Sequence, residues 1–448
     1  MIWRHWPLAI AAMTEKHKSR PSSAHALAQS HGRGLACRLG SRDLEAQKPV
    51  NRFSCEAILP KIRFMVAALS PPPRWIWQAL GWPVLHFDAQ AVQASISAAR
   101  LAQGRLLGLA ASLQMADLAA LQFDEWTQEA VATAQIEGEV LQVHSVRASV
   151  ARRLGLPGAN TAPHAARDAR TEATLDVLQA ATQQWQRPLT QEDLFAWHAA
   201  LFPTGRSGLQ AIVTGGWRTH AEPMQIVTPR LGKPDVLHYQ APASGDVPAH
   251  MAAWLAWFNT SLGTIDGVAR AALAHLWFEA IHPFEDGNGR IGRALAELAL
   301  AQDLQSPQRM MSVSAQLLAA RAEYYAQLQA ATGHPVLDVT SWVQWFATRV
   351  QHAADASTGH IQTVLGKTRF WSELQTDHPD LSAAQRKALG RLYDAGPGGF
   401  VGGLSTDKYV NLTGVSRATA YRDLTDLAER RLLVRTGQGR ATRYVWPD

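Results

Sequence analysis

The sequence predicts a mainly α-helical protein with a small β-hairpin flap and a C-terminal winged helix-turn-helix domain. Three observations lead there. From Ala89 onward, apolar residues recur at helical spacing through most of the chain. Between Phe202 and Pro242, Gly205, Gly208, Gly215 and Gly216 instead punctuate short β-prone pieces. From Leu381 the order is helix, helix, turn, helix and two strands.

The bulk numbers agree with a globular chain. At 448 residues there is room for two or three cores, and 47% hydrophobic with 18% charged residues is ordinary for soluble proteins. No apolar run approaches the roughly 18 residues needed to span a bilayer. Trp6–Met13 is too short, and no small-residue cleavage site follows it. The expectation is a cytoplasmic protein without a membrane partner.

The net charge of +6 is unevenly placed. Residues 1–64 carry 11 Lys/Arg against 4 Asp/Glu, so the rest of the chain is nearly neutral. Cys37 and Cys55 lie in the same stretch and read as free thiols, without metal spacing. The stretch lacks helical or strand periodicity. A basic arm for nucleic acid is one reading of it; a disordered tail, or translation upstream of a start at Met65, is favoured.

Ordered sequence is expected from Trp75, after Pro71-Pro-Pro73. A helix from Ala89 draws its apolar faces from Leu101, Leu106, Leu107 and Leu109, and a second runs from Phe123 to Gln142. Gly158–Ala165 reads as a loop, before helices at Leu175–Trp185 and Leu194–Leu201. Gln225–Thr228 and Val236–Tyr239 are strand candidates around the turn Leu231–Pro234. Met251, Trp254, Leu255 and Phe258 then mark one helix face, and Val268–Ile281 is apolar almost all round, as a buried central helix requires.

The chemistry concentrates in residues 282–293, His-Pro-Phe-Glu-Asp-Gly-Asn-Gly-Arg-Ile-Gly-Arg. Gly287 and Gly289 permit positive φ and close backbone approach, and a helix follows from Arg290 to Ala301. A glycine-rich loop entering a helix presents unpaired N–H groups and a positive dipole end, an anion site. Arg290 and Arg293 suit phosphate oxygens. Asp286 is an oxygen ligand suited to Mg²⁺, which takes one or two carboxylates plus substrate phosphates. His282 has the pKa range of a general base. Each element alone has an ordinary structural explanation; their conjunction within twelve residues favours function. His275 and His282 hint at a metal pair, but no third ligand follows at suitable spacing.

This loop resembles the signature of Fic proteins, His-Pro-Phe-x-Asp/Glu-Gly-Asn-Gly-Arg-x-x-Arg, at every defined position. The resemblance extends to Trp75–Leu156, Trp197–Ser207, Gly216-Trp-Arg218 and Met224–Val227. It implies a Fic-type helical domain and transfer of AMP from ATP to a protein hydroxyl. His282 would be the base. Phe284, Gly287, Asn288, Gly289, Arg290, Gly292 and Arg293 would form the nucleotide loop. Asp286 would hold Mg²⁺, and Tyr325, on a helix Ala319–Ala330, would contact the nucleotide. Thr332 stands where some relatives carry Asn. A flap at Met224–Tyr239, including Gln225, Ile226 and Val227, would hold the target by strand addition. Transfer of UMP, phosphocholine or phosphate, and removal of AMP, are alternatives within the same fold.

Thr133-Ala-Gln-Ile-Glu137-Gly138 resembles the family's inhibitory helix motif. Thr133 and Glu137 share a helix face, and Gly138 is small enough for another segment to approach. The implied role is an ion pair between Glu137 and Arg293 at the γ-phosphate position. An ordinary solvated glutamate, on a helix packing through Ile136 and Val140, is the bland alternative.

The C-terminal module comprises helices Ala383–Tyr393, Ser405–Leu412 and Ala418–Arg430, with strands Leu432–Arg435 and Thr442–Trp446. It carries 11 Lys/Arg against 6 Asp/Glu. Arg417, Arg422, Arg430 and Arg431 along and around the third helix, with Arg440 and Arg443 on the wing, allow DNA binding. Protein docking and homodimerisation remain open. The expected division is 1–64, a helical region 65–165, a catalytic domain 166–352, a helical linker 353–380 and the winged module 381–448.

Overall fold

The computed structural model describes residues 2–3, 72–156, 168–230, 232–395, 400 and 402–447. The cysteines, the rest of the basic stretch 1–64, and the expected loop at Gly158–Ala165 lie outside the described residues. The chain divides into two compact units at Ser357 and Thr358. The fold is mainly helical, with small β-hairpins and a C-terminal domain of helices and a two-stranded wing.

In the first unit, α1 (Ala89–Ala110) starts at Asp88, whose side chain accepts from Gln90 N and Ala91 N. Leu106 is buried in it, but Leu101 and Leu107 are exposed, so the core face is carried by Val92, Ala99, Ala102 and Leu106 instead. The next helix, α2, spans Met115–Ile136. It begins earlier than expected and stops six residues short of Gln142. Gly138 has φ +80°, a conformation that ends a helix, and a Cβ there would meet nothing within 4 Å. Gly138 is therefore needed for its backbone, not for close approach of another segment.

Helix α3 (Val143–Arg153) packs on α2 through Val146 and Val150, together with Leu175 and Leu178 of α4 (Ala169–Gln183). Thr190 and Asp193 form a capping box at the start of α5 (Gln191–Leu201). Two short strands follow, β2 (Arg206–Ser207) and β3 (Gln210–Ala211). The flap is antiparallel: β4 (Gln225–Arg230) pairs with β5 (Lys233–Gln240). Its strands are longer and its turn tighter than composition suggested. A two-residue strand, β1 (Ile2–Trp3), lies parallel to Gln225 and Ile226.

The centre of this unit is α7 (Gly267–Ile281), buried on nearly every residue and packed between α6 (Val247–Thr260) and α8 (Asn288–Asp303). Around them lie α9 (Val313–Ala319) and α10 (Arg321–Thr332). A long helix, α11 (Thr340–Asp377), contributes to both units.

The second unit has its own apolar core. Leu374, at the end of α11, joins Leu389 and Leu392 of α12 (Ala383–Ala395), Tyr409 of α13 (Thr406–Thr413), and Leu424 and Leu427 of α14 (Arg417–Glu429). Part of the expected linker 353–380 is thus core. Ser405 and Ser416 cap α13 and α14, and Gly414, at φ +79°, makes the turn between them. The wing is the antiparallel pair β6 (Val434–Thr436) and β7 (Arg443–Val445).

Candidate active site

The site is built where α7 ends and α8 begins. His282 closes α7 in the left-handed region, at φ 52°, and Pro283 after it cannot continue the helix. A non-glycine residue there costs about 1–2 kcal/mol. Arg218 holds the geometry: its Nε donates to His282 O at 2.8 Å and its Nη2 to Pro242 O at 2.6 Å. Its backbone N–H also donates to Pro283 O at 3.0 Å. Burial lowers the Arg218 pKa to about 10. Sequence reasoning gave Arg218 no role beyond resemblance, because its partners are main-chain carbonyls far along the chain.

Asn288 braces the loop. Its side-chain oxygen accepts from Phe284 N at 2.9 Å and its amide donates to Phe284 O at 2.9 Å. Both ends of that side chain, expected at the phosphates, are spent on loop shape. Phe284 is fully buried and stacks on His198, with centroids 4.2 Å apart at 7°. His198 accepts from Gly215 N through Nδ1, so its Nε2–H donates to Asp286 O at 3.1 Å. Sequence reasoning missed this residue too. Gly287 needs its φ of +81°, and a Cβ there would stand 2.9 Å from the Phe202 ring. Gly292 faces α7 rather than a ligand: a Cβ would stand 2.7 Å from Glu279 Oε1 and 3.0 Å from His275 Nδ1.

Both arginines of the loop are held by carboxylates from just beyond α2. Arg293, 2% exposed, donates through Nη2 to Glu137 Oε1 at 2.7 Å and to Thr133 O at 3.0 Å. Its Nε donates to Thr133 Oγ1 at 2.8 Å. Glu137 also covers Gly289, where a Cβ would lie 2.2 Å from Glu137 Oε1. Burial opposes ionisation of Glu137, but Arg293 and Arg290 overcome it and hold the carboxyl below its usual range. Arg290 donates to Glu139 Oε1 at 3.1 Å and lies 3.5 Å from Asp286 Oδ1. Glu139 was not anticipated.

The end of α2 is itself capped from α10. The Ile136 carbonyl accepts from Tyr325 OH at 3.0 Å and from Arg321. Tyr325, expected at the nucleotide, thus spends its hydroxyl on this carbonyl while its ring lines the cleft. That cleft is lined by Glu137, His282, Asn288, Gly289 and Arg293 together with Ile226, His238, Leu328, Gln329 and Thr332. The flap is fixed to its rim by Tyr239, whose hydroxyl donates to Ala280 O at 2.5 Å. Met224 and Val227 point inward and are buried, Met224 against Trp75 and Tyr239. At Gln225 and Ile226 the edge expected to take a target strand is paired with β1.

Asp286 accepts from Gly287 N and from Ser207 Oγ. Burial raises its pKa, and Arg290 opposes that shift. Among the described residues no group of three or more His, Cys, Asp or Glu is arranged to hold a metal ion. A single hard oxygen ligand fits Mg²⁺, which completes its shell with phosphates and water. His275 is fully buried against Tyr324 OH, 2.8 Å from Nε2, and burial lowers its pKa to about 3. It is a core histidine, not half of a metal pair.

In the second unit the expected basic face is partly spent. Arg430 pairs with Asp380 and Asp426, and Arg417 with Asp407. Arg422, Arg431 and Arg435 are exposed, while the Arg440 side chain lies outside the described residues. Among the described residues no helix is long and apolar enough to cross a membrane.

Residues 188–300 match the Fic/DOC family profile, residues 75–156 a domain of unknown function (DUF4172), and residues 400–446 the C-terminal domain of the DIP2311-like transcriptional regulators. The chain is 29% identical over 137 residues to protein adenylyltransferase fic-1 of Caenorhabditis briggsae, covering 30% of this chain and 24% of that protein. It is 34% identical over 108 residues to its Caenorhabditis elegans counterpart, covering 24% and 20%. The match therefore spans a quarter or less of those relatives' length. Among solved structures, a Fic family protein from Desulfovibrio desulfuricans G20 aligns with a TM-score of 0.46 at 21% identity, over 82% of this chain and 98% of that one. Residues 188–300 are thus a Fic/DOC-like segment, and residues 400–446 are similar to the C-terminal domain of a transcriptional regulator.

Proposed function

We propose that this protein transfers AMP from ATP to a hydroxyl side chain of a target protein, and that Glu137 restrains the reaction. The carrying observation is that His282, Asn288, Gly289 and Arg293 line one cleft beside a carboxylate that occupies the phosphate-type arginine. Burial first, and Arg218 second, lower the His282 pKa to about 4, so the imidazole is neutral, as a general base must be. In the reaction proposed, His282 takes the target hydroxyl's proton while that oxygen attacks the α-phosphorus of ATP and pyrophosphate leaves. The α8 N-terminus and the two arginines stabilise the phosphate charge, the dominant requirement of such transfers. Asp286 would hold Mg²⁺, which supplies charge neutralisation on the phosphates. The relatives named protein adenylyltransferases support the nucleotide assigned.

The test is His282→Ala. Transfer of α-labelled AMP should vanish while ATP binding persists, because the base acts in the transition state and the loop holds the ground state. Near-wild-type transfer by the folded variant refutes the mechanism.

A second reading concerns the C-terminal domain. Its exposed Arg435 lines a concavity together with Thr406, Arg417, Tyr421 and Thr442, which suits a nucleic-acid backbone. Titrating the full chain with duplex DNA at 50 and 200 mM salt should show affinity falling by an order of magnitude or more if several phosphates are contacted. Salt-independent binding would favour protein docking.

A further inference from the structure

Beside the base of the site, two buried polar atoms lack partners. His282 Nδ1 and Glu279 Oε1 have no hydrogen bond. Glu279 Oε2 lies 3.8 Å from His282 Nδ1, with side-chain exposures of 12% and 10% respectively. Buried polar atoms are rarely left unpaired, and the His282 ring already meets the Glu279 backbone as a hydrogen-bond partner, which holds it beside this residue. The two residues are i and i+3 at the end of α7, and the left-handed turn at His282 brings the ring back toward Glu279.

We infer that Glu279 is a positioning residue for His282, and that its ionisation decides which imidazole nitrogen carries the proton. The inference rests on the reading of His282 as the base. As a carboxylate, Glu279 accepts the Nδ1–H, which leaves the Nε2 lone pair for the target hydroxyl. As a carboxylic acid, it donates to Nδ1, and the proton then sits on Nε2, where none can be accepted. In the productive state the hydroxyl O–H bond breaks and Nε2–H forms. The resulting imidazolium keeps its Nδ1–H on the Glu279 carboxylate. The carboxylate fixes the tautomer and stabilises the charge that develops.

Charged and titratable groups from several elements act on Glu279. Glu137 approaches from the end of α2, Arg293 from α8, Tyr324 from α10 and Tyr239 from β5. His275, on α7 itself, shares the contact at Gly292. Burial, then Glu137, raises the Glu279 pKa to about 8, and Arg293 opposes them. Because His282 is held near 4, Glu279 is the member of the pair that titrates near neutrality. The proposed activity should therefore rise with pH on Glu279, not on His282.

The experiment measures transfer of α-labelled AMP from pH 5.5 to 9.5 for wild type, Glu137→Gly, Glu279→Gln and Glu279→Ala. In parallel, the tautomer of His282 is read from ¹⁵N-histidine spectra, assigned by difference against His282→Gln. Wild type should gain about tenfold per pH unit until a plateau, and its Nδ1 should carry the proton above the limb. Glu279→Gln should be active with a flat profile, since its amide oxygen accepts the Nδ1–H at every pH. Glu279→Ala should lose rate without a change in ATP affinity. Removing Glu137 should move the limb to lower pH. A wild-type-like limb in Glu279→Gln, or a tautomer in wild type that does not change with pH, overturns the inference. Transfer that survives His282→Ala instead overturns the base assignment beneath it. If no variant transfers AMP, the spectra alone decide.

Discussion

Glu137→Gly should weaken the nucleotide-free protein and speed AMP transfer, and both effects follow from one contact. Arg293 is 2% exposed, and the Glu137 carboxylate at 2.7 Å is its closest acidic partner. Removing one member of a buried pair costs about 3–5 kcal/mol, because the remaining charge is left uncompensated. The Glu137 side chain is 21% exposed and Thr133 keeps two bonds to Arg293, so the low end, about 3 kcal/mol, is expected. That corresponds to a fall in Tm of roughly 5 °C for a unit of this size. ATP should restore much of the loss by placing a phosphate on the freed guanidinium, so its stabilising effect should be larger in the variant than in wild type. Transfer of α-labelled AMP should rise about tenfold to a hundredfold, since a misplaced phosphate costs that order in rate. Label from γ-labelled ATP should not transfer. Arg293→Ala should stay slow with or without Glu137, because the phosphate clamp goes with the latch. The assay is a pair of melting curves, with and without Mg-ATP, beside initial rates at saturating ATP. An unchanged rate in a Glu137→Gly protein that binds ATP would refute the reasoning.

Two further outcomes follow from other groups. Asp286→Ala should lower Mg²⁺-dependent ATP binding, and raising the Mg²⁺ concentration should recover part of the rate; a variant with unaltered Mg²⁺ dependence would remove Asp286 from the metal. Glu125, bonded to Ser357 Oγ at 2.9 Å, has its pKa pushed from 4.5 up to about 7, by burial first and then by the nearby Glu129. The folded state therefore keeps a proton that the unfolded chain has released, so stability falls as pH rises from about 4.5 to 7, by at most about 1.4 kcal/mol per unit. Glu125→Gln should reduce that slope in urea midpoints taken at pH 5 and pH 7.5, and an unchanged slope would place the titration elsewhere.

What the sequence determined is what is local. The loop 282–293 is legible because its glycines, histidine and arginines act within two turns of one helix entrance. Gly287 is required by its own φ of +81°, whatever surrounds it. The unbroken apolar character of α7 announced its burial, and Ser405, Gly414 and Ser416 marked the ends of the C-terminal helices through bonds to neighbours within a few residues. Helix α2 shows where this legibility stops. Its periodicity ran on toward Gln142, yet it ends at Ile136, whose carbonyl is taken by Tyr325 and Arg321 from α10. The contacts that set the site are long-range in the same way. Thr133 and Glu137 reach Arg293, Glu139 reaches Arg290, Arg218 holds the His282 turn, and His198 holds Asp286. Hydrogen bonds of this kind depend on which faces meet after packing, and side-chain spacing along the chain carries no record of that. Resemblance named the Glu137–Arg293 pair, but only the tertiary structure brings Glu279 within 3.8 Å of His282 at a backbone turn that helical periodicity does not contain.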